Sequence, residues 1–74
     1  MYKNTPLYPN LEKELLGNRI TRREIAEAIG IKPTAFYYRT TGAVEFSLNE
    51  ARIICAYLEK KTGRPMTIKY LFGF

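Results

Sequence analysis

The 74-residue sequence predicts an all-α fold of four or five helices, on three observations. Apolar residues recur at helical intervals in several short segments. Two of those segments open with a capping-box pattern, Thr21-x-x-Glu24 and Ser47-x-x-Glu50. No alternating apolar–polar run bounded by turn signals marks a strand, the nearest being a brief extended piece at "AVEF", residues 43–46. The length allows one domain, near the lower size at which a single core holds a fold. With 46% hydrophobic and 26% charged residues, the composition is globular rather than disordered.

Residues 1–8 are expected as an N-terminal arm, and 9–74 as the single folded domain. The first helix should begin near Pro9 or Asn10, because proline suits a first helical turn. Leu11, Leu15 and Leu16 form its apolar stripe, and "GN" at 17–18 offers a left-handed stop. The second opens at Thr21, with Ile20 and Ile25 at the positions of a hydrophobic staple. Ile25, Ala26 and Ile29 face inward, and Gly30 ends it. At about eight residues it is marginal alone and depends on tertiary packing. The third spans 33–41: Lys32 is pushed from helical angles by the following proline, Pro33 takes the first position, and Gly42 closes it. Ile31 and Phe36 repeat the staple spacing. The fourth runs from Ser47 to about Lys61 on a stripe of Leu48, Ala51, Ile54, Cys55 and Leu58. The linker "TGRP" leads to a last short segment capped by Thr67 and anchored by Ile68, Leu71 and Phe72.

Composition narrows the chemistry. With one cysteine and no histidine, neither a structural zinc site nor a histidine-based catalytic centre has the residues it needs. No paired carboxylates or nucleophile–base set stands out, so no enzymatic activity, cofactor, metal or small-molecule substrate is expected. Cys55 reads as a small core residue. A lone cysteine fits a reducing cytoplasm, and no apolar run is long enough for a membrane span or signal peptide. The net charge of +5 favours an acidic partner, nucleic acid first.

The second and third helices are joined only by "GIK", a turn of the length and glycine content that produces a helix-turn-helix at about 21–42. With Phe36 pointing inward and about 100° per residue, Thr34, Tyr37, Tyr38 and Thr41 point outward. Pro33 and Thr40 flank them on one side, Ala35 and Arg39 on the other. This face is aromatic, hydroxyl-rich and free of acids, which suits base edges and phosphates. Around it, Arg19, Arg22, Arg23, Lys32 and Arg39 stand against Glu24 and Glu27, a local net of +3. Arg22 and Arg23 sit at the positive end of a helix dipole, an unfavourable place for a cation that suggests an external anion. Lys32 cannot cap the following helix by accepting a hydrogen bond, leaving first-turn amides for a phosphate or base.

"ITRREIAEAIGIKPTAFYYRTTG…EFSLNEARIICAYL" resembles the Cro/C1-type, lambda-repressor-like helix-turn-helix family of phage and bacterial regulators, over roughly residues 9–72. Ala26, Gly30 and the apolar Ile25, Ile29, Ile31 and Phe36 carry the likeness. It implies a compact four- to five-helix domain in which Arg22 meets phosphate or base and Pro33, Thr34 and Tyr38 occupy base-facing positions beside Tyr37. Pro33, Arg39 and Ala43 depart from common family residues, and the linker before the last helix is longer than usual.

The expected function is sequence-specific binding of double-stranded DNA by a transcriptional regulator, with helix 33–41 in the major groove. Thr34 and Tyr38 would touch base edges, Arg22, Arg23 and Lys32 would hold phosphates, and Tyr37 and Arg39 would line the groove margin. A homodimer through the fourth helix, fifth helix or C-terminal tail is expected from the family, in a bacterial cytoplasm and associated with the nucleoid. The alternatives are a protein-interaction module of antitoxin or anti-regulator type using the same Tyr/Arg face, and single-strand binding by stacking on the tyrosines.

Overall fold

The computed structural model describes residues 7–73, and within them the chain is all helical: α1 (Pro9–Gly17), α2 (Arg22–Ile29), α3 (Pro33–Thr41), α4 (Leu48–Thr62) and α5 (Ile68–Phe72). No strand occurs among the described residues, and residues 43–46 are loop. No helix there is long and apolar enough to cross a membrane. The α2 helix packs on α3 and α4, while α5 packs on α1 and α4.

Local signals explain most of the boundaries. Thr21 Oγ1 accepts from the Glu24 amide at 3.0 Å, and Ser47 Oγ accepts from the Glu50 amide at 3.0 Å. The box at Ser47 is complete, because the Glu50 carboxylate accepts from the Ser47 amide at 3.1 Å. At Thr21 only half of it forms. The Glu24 carboxylate turns instead to the Tyr57 hydroxyl and to Lys61 Nζ, 3.0 Å away, and ties α2 to α4. Thr67 caps the five-residue α5 by accepting from the Tyr70 amide at 3.0 Å.

Two apolar assignments change sides. Leu16 is 84% exposed, because it lies about 140° around the helix from Leu11 at 100° per residue. Glu14 takes the inward place beside Leu11 and Leu15. Leu48 is half-exposed, about 120° from the buried Ile54. The end of α1 also differs from expectation. Asn18 is not left-handed (φ −107°); the left-handed residue is Arg19, at φ 57°. Its amide donates to the Leu16 carbonyl at 3.2 Å and that of Ile20 to the Leu15 carbonyl at 2.8 Å, the two bonds of a Schellman motif.

The fully buried large side chains are Leu11, Ile25, Phe36, Ile54, Leu58 and Leu71, so every helix contributes to one core. Phe46, from the loop between α3 and α4, sits edge-on to three rings: Phe72 at 5.1 Å, Tyr8 at 5.4 Å and Phe36 at 5.9 Å between centroids. Tyr8 also meets Phe72 at 5.5 Å. The arm expected over 1–8 lies outside the described residues except for Leu7 and Tyr8, and Tyr8 packs against the core. Cys55 is half-buried, and its thiol donates to the Met66 carbonyl at 3.2 Å.

Among the described residues Glu14 is the one buried carboxylate. It accepts from the Tyr70 hydroxyl at 2.7 Å, Arg64 at 2.8 Å and Asn18 Nδ2 at 3.3 Å, joining α1 to α5 and to the linker. The Tyr70 hydrogen bond, against the opposing effect of burial and helped by Arg64, holds its carboxyl below the usual carboxylate value. Glu14→Gln should therefore lose about 1–3 kcal/mol at neutral pH, since an amide cannot satisfy all these donors. A depressed folded pKa stabilises above the unfolded value and loses that contribution as pH falls through the folded one. The gap between wild type and variant should accordingly narrow on acidification below the ordinary carboxylate range. Urea denaturation at neutral and acid pH measures it, and a gap independent of pH would contradict this assignment.

Candidate nucleic-acid interface

The α3 helix begins as its sequence requires, with Lys32 extended (φ −77°, ψ 153°), Pro33 in the first turn and no side chain capping its amides. Gly42 closes it at φ 90°. Phe36 is completely buried and fixes the rotation of the helix. Thr34, Tyr37, Tyr38 and Thr41 are all exposed, as the helical geometry anticipates, Tyr37 by 55% and Tyr38 by 48%. The two tyrosine rings stand 5.8 Å apart at 61°, each bracing the other edge-on. Thr41 Oγ1 donates to the Tyr38 carbonyl at 3.1 Å, and the Val44 amide donates to the same oxygen at 3.2 Å. The C-terminal turn is thereby tied to the following loop.

The flanks of α3 hold it in place. On one, Thr40 is buried, donates to the Tyr37 carbonyl of its own helix at 2.9 Å and accepts from Arg22 of α2. On the other, Arg39 grips Glu50 of α4 through two bonds, Nε at 2.9 Å and Nη2 at 3.2 Å, and donates from Nη1 to the Ala35 carbonyl at 3.1 Å. Its side chain keeps only 18% exposure, so the guanidinium expected at the groove margin is an internal brace. Burial pushes the Glu50 carboxyl up, but the bonds from Arg39 and Ser47 hold it below its usual value.

The anion expected to offset the α2 dipole at Arg22 need not be external. Glu12 of α1 supplies an internal one: Arg22 Nη2 lies 2.9 Å from its carboxylate, and Nη1 donates to Thr40 Oγ1 at 3.4 Å. The guanidinium carbon is 5.9 Å from the Phe36 ring centroid. Nearly half of the Arg22 side chain remains open to solvent at the junction of α1, α2 and α3. Arg23 and Lys32 are exposed, and their side chains have no hydrogen-bond or ion-pair partner among the described residues. Three positioning residues were not evident beforehand. Glu12 and Thr40 reach Arg22 only through the fold, and Glu50 had an evident role solely as a cap.

The arrangement can present a rigid hydroxyl and aromatic surface bordered by cations. No group of three or more His, Cys, Asp or Glu side chains suited to a metal ion occurs among the described residues. The chain matches no protein-family model, no curated protein and no solved structure, so the Cro/C1 resemblance rests on the residues themselves.

Because Arg39 and Glu50 form a largely desolvated two-point pair, they should be energetically coupled. A double-mutant cycle of Arg39→Ala and Glu50→Ala, followed by urea denaturation, should give a coupling of about 0.5–3 kcal/mol. A coupling near zero would mean that α3 is not held by this brace.

Proposed function

We propose that the protein binds double-stranded DNA sequence-specifically as a transcriptional regulator of Cro or repressor type. The observation that carries this reading is the outward face of α3: two tyrosines and two threonines without an acid, on a helix immobilised by Phe36, Thr40 and the Arg39–Glu50 pair. Rigid placement of a few side chains is what base readout in a groove demands. In this reading α3 lies in the major groove, and α2 crosses the sugar–phosphate backbone. Thr34 and Tyr38 meet base edges, a thymine methyl suiting the tyrosine ring. Tyr37 lines the groove margin. Arg23 and Lys32, unpaired among the described residues, take phosphates, as does the exposed part of Arg22 while Glu12 and Thr40 orient it. Arg39 contributes by holding the helix.

A homodimer in a bacterial cytoplasm, associated with the nucleoid, belongs to the same proposal. Leu71 and Phe72 are already in the core, so α5 has the partly exposed Tyr70 to offer a second subunit, and α4 has Leu48.

Binding to duplex DNA should weaken steeply as salt rises. Arg23→Ala should lower the log–log slope by about 0.9 on every sequence. Tyr38→Ala and Thr34→Ala should instead relax preference at the base pairs they touch, by about 1–3 kcal/mol each. Salt titrations on selected and scrambled duplexes read both effects. Salt-insensitive binding would favour a protein partner for the tyrosine face, and a preference for single strands would favour stacking; either outcome sinks the duplex reading.

A further inference from the structure

Four of the five helices are followed by a glycine in the left-handed region: Gly30, Gly42, Gly63 and Gly73, with φ of 80°, 90°, 69° and 82°. The first helix ends differently. Its left-handed residue is Arg19, the one non-glycine with positive φ among the described residues. Gly17 stands two positions earlier, still inside α1. In that backbone conformation a Cβ crowds the following carbonyl, whereas glycine adopts it freely. Both Schellman bonds at this turn use backbone amides, so glycine would make them equally well.

The arginine side chain does nothing for the fold that would offset this. It is exposed and forms no hydrogen bond or ion pair with any described residue. Arg22, Arg39, Lys61 and Arg64, by contrast, each have a carboxylate within 2.8–3.0 Å. A disfavoured backbone position that retains an unpartnered cation points to a use for that cation outside the chain. Its location narrows the use. Arg19 precedes Thr21, the N-cap of α2, by two residues, and Arg22 by three, where α2 meets Thr40 of α3.

We infer that Arg19 is a phosphate-binding residue at the edge of the duplex interface, carrying the contact from α2 onto the turn after α1. This rests on the DNA-binding reading above. The left-handed turn projects the side chain from a fixed backbone, and the guanidinium offers paired donors that match phosphate oxygens.

The test compares wild type, Arg19→Gly, Arg19→Lys and Arg23→Ala on a short mixed-sequence duplex across a salt series, together with thermal melts. Arg19→Gly should melt higher, by at most about 4–8 °C, since relief of the left-handed strain outweighs the greater unfolded-chain entropy of glycine. Its log–log salt slope should nevertheless be lower by about 0.9. Arg19→Lys should keep the wild-type slope and melting temperature. If Arg19→Gly retains the full slope while Arg23→Ala reduces it, the inference falls and the DNA reading stands. If wild type itself shows no salt-dependent duplex binding, both fall. A lower melting temperature for Arg19→Gly also overturns the inference, because the arginine would then be serving the fold.

Discussion

A short chain must close around one core, and here the closing contact comes from a loop. Phe46 follows α3 and precedes α4, yet its ring meets Phe36 of α3, Phe72 of α5 and Tyr8 at the start of α1. Edge-to-face pairs of this kind contribute about 0.5–1.5 kcal/mol each beyond simple burial. Their larger effect is geometric. Phe36 sets the rotation of α3, Phe46 sets its distance from α5, and Tyr8 brings the entry to α1 against the same cluster. This junction gives α3 and the loop after it a common reference with α1 and α5, which also pack on each other directly.

The carboxylates perform a second kind of closure. Glu12 reaches from α1 to α2, Glu24 from α2 to α4, Glu50 from α4 to α3, and Glu14 from α1 to the linker before α5. Exposed pairs such as Lys61–Glu24 contribute little to stability by themselves. Arg39–Glu50 and Glu14 are more secluded and carry more. Among the described residues four carboxylates are engaged in this way, and since each such pair is neutral, the net charge of +5 is carried outside them. Internal pairing therefore sharpens the surface field rather than erasing it.

The helical architecture was legible because local signals and helical periodicity agreed at most boundaries. Thr21, Ser47 and Thr67 do cap, Gly30 and Gly42 do terminate, and Phe36 does turn inward. The errors have a common source in judging a residue by type. Leu16 and Leu48 are apolar but stand on the wrong side of their helices, and Glu14 is charged but becomes core once Tyr70, Arg64 and Asn18 surround it. Such partners are distant in sequence: Tyr70 lies 56 positions from Glu14, and no pattern along the chain links them. The same limit applies to the candidate interface. Its outward residues follow from 100° per residue, whereas the pairing of Arg22 with Glu12 and of Arg39 with Glu50 depends on how helices meet. Arg22 and Arg39 looked equivalent to Arg23 as free cations, and only the packed structure separates them.

The division of labour within α3 bears on how the protein can change over generations. Phe36, Thr40 and Arg39 secure the helix, while the side chains of Thr34, Tyr37 and Tyr38 point outward, the two rings about half exposed and in contact with each other. Substitutions at these outward positions meet little resistance from stability, so selection can recast the surface without rebuilding its support. A descendant could acquire a new ligand preference through a few single-codon steps, each passing through a folded intermediate. The tight coupling of Arg39 to Glu50 has the opposite property. Either partner changed alone leaves an orphaned charge, so that pair should persist as a fossil of the scaffold long after the outward face has diverged.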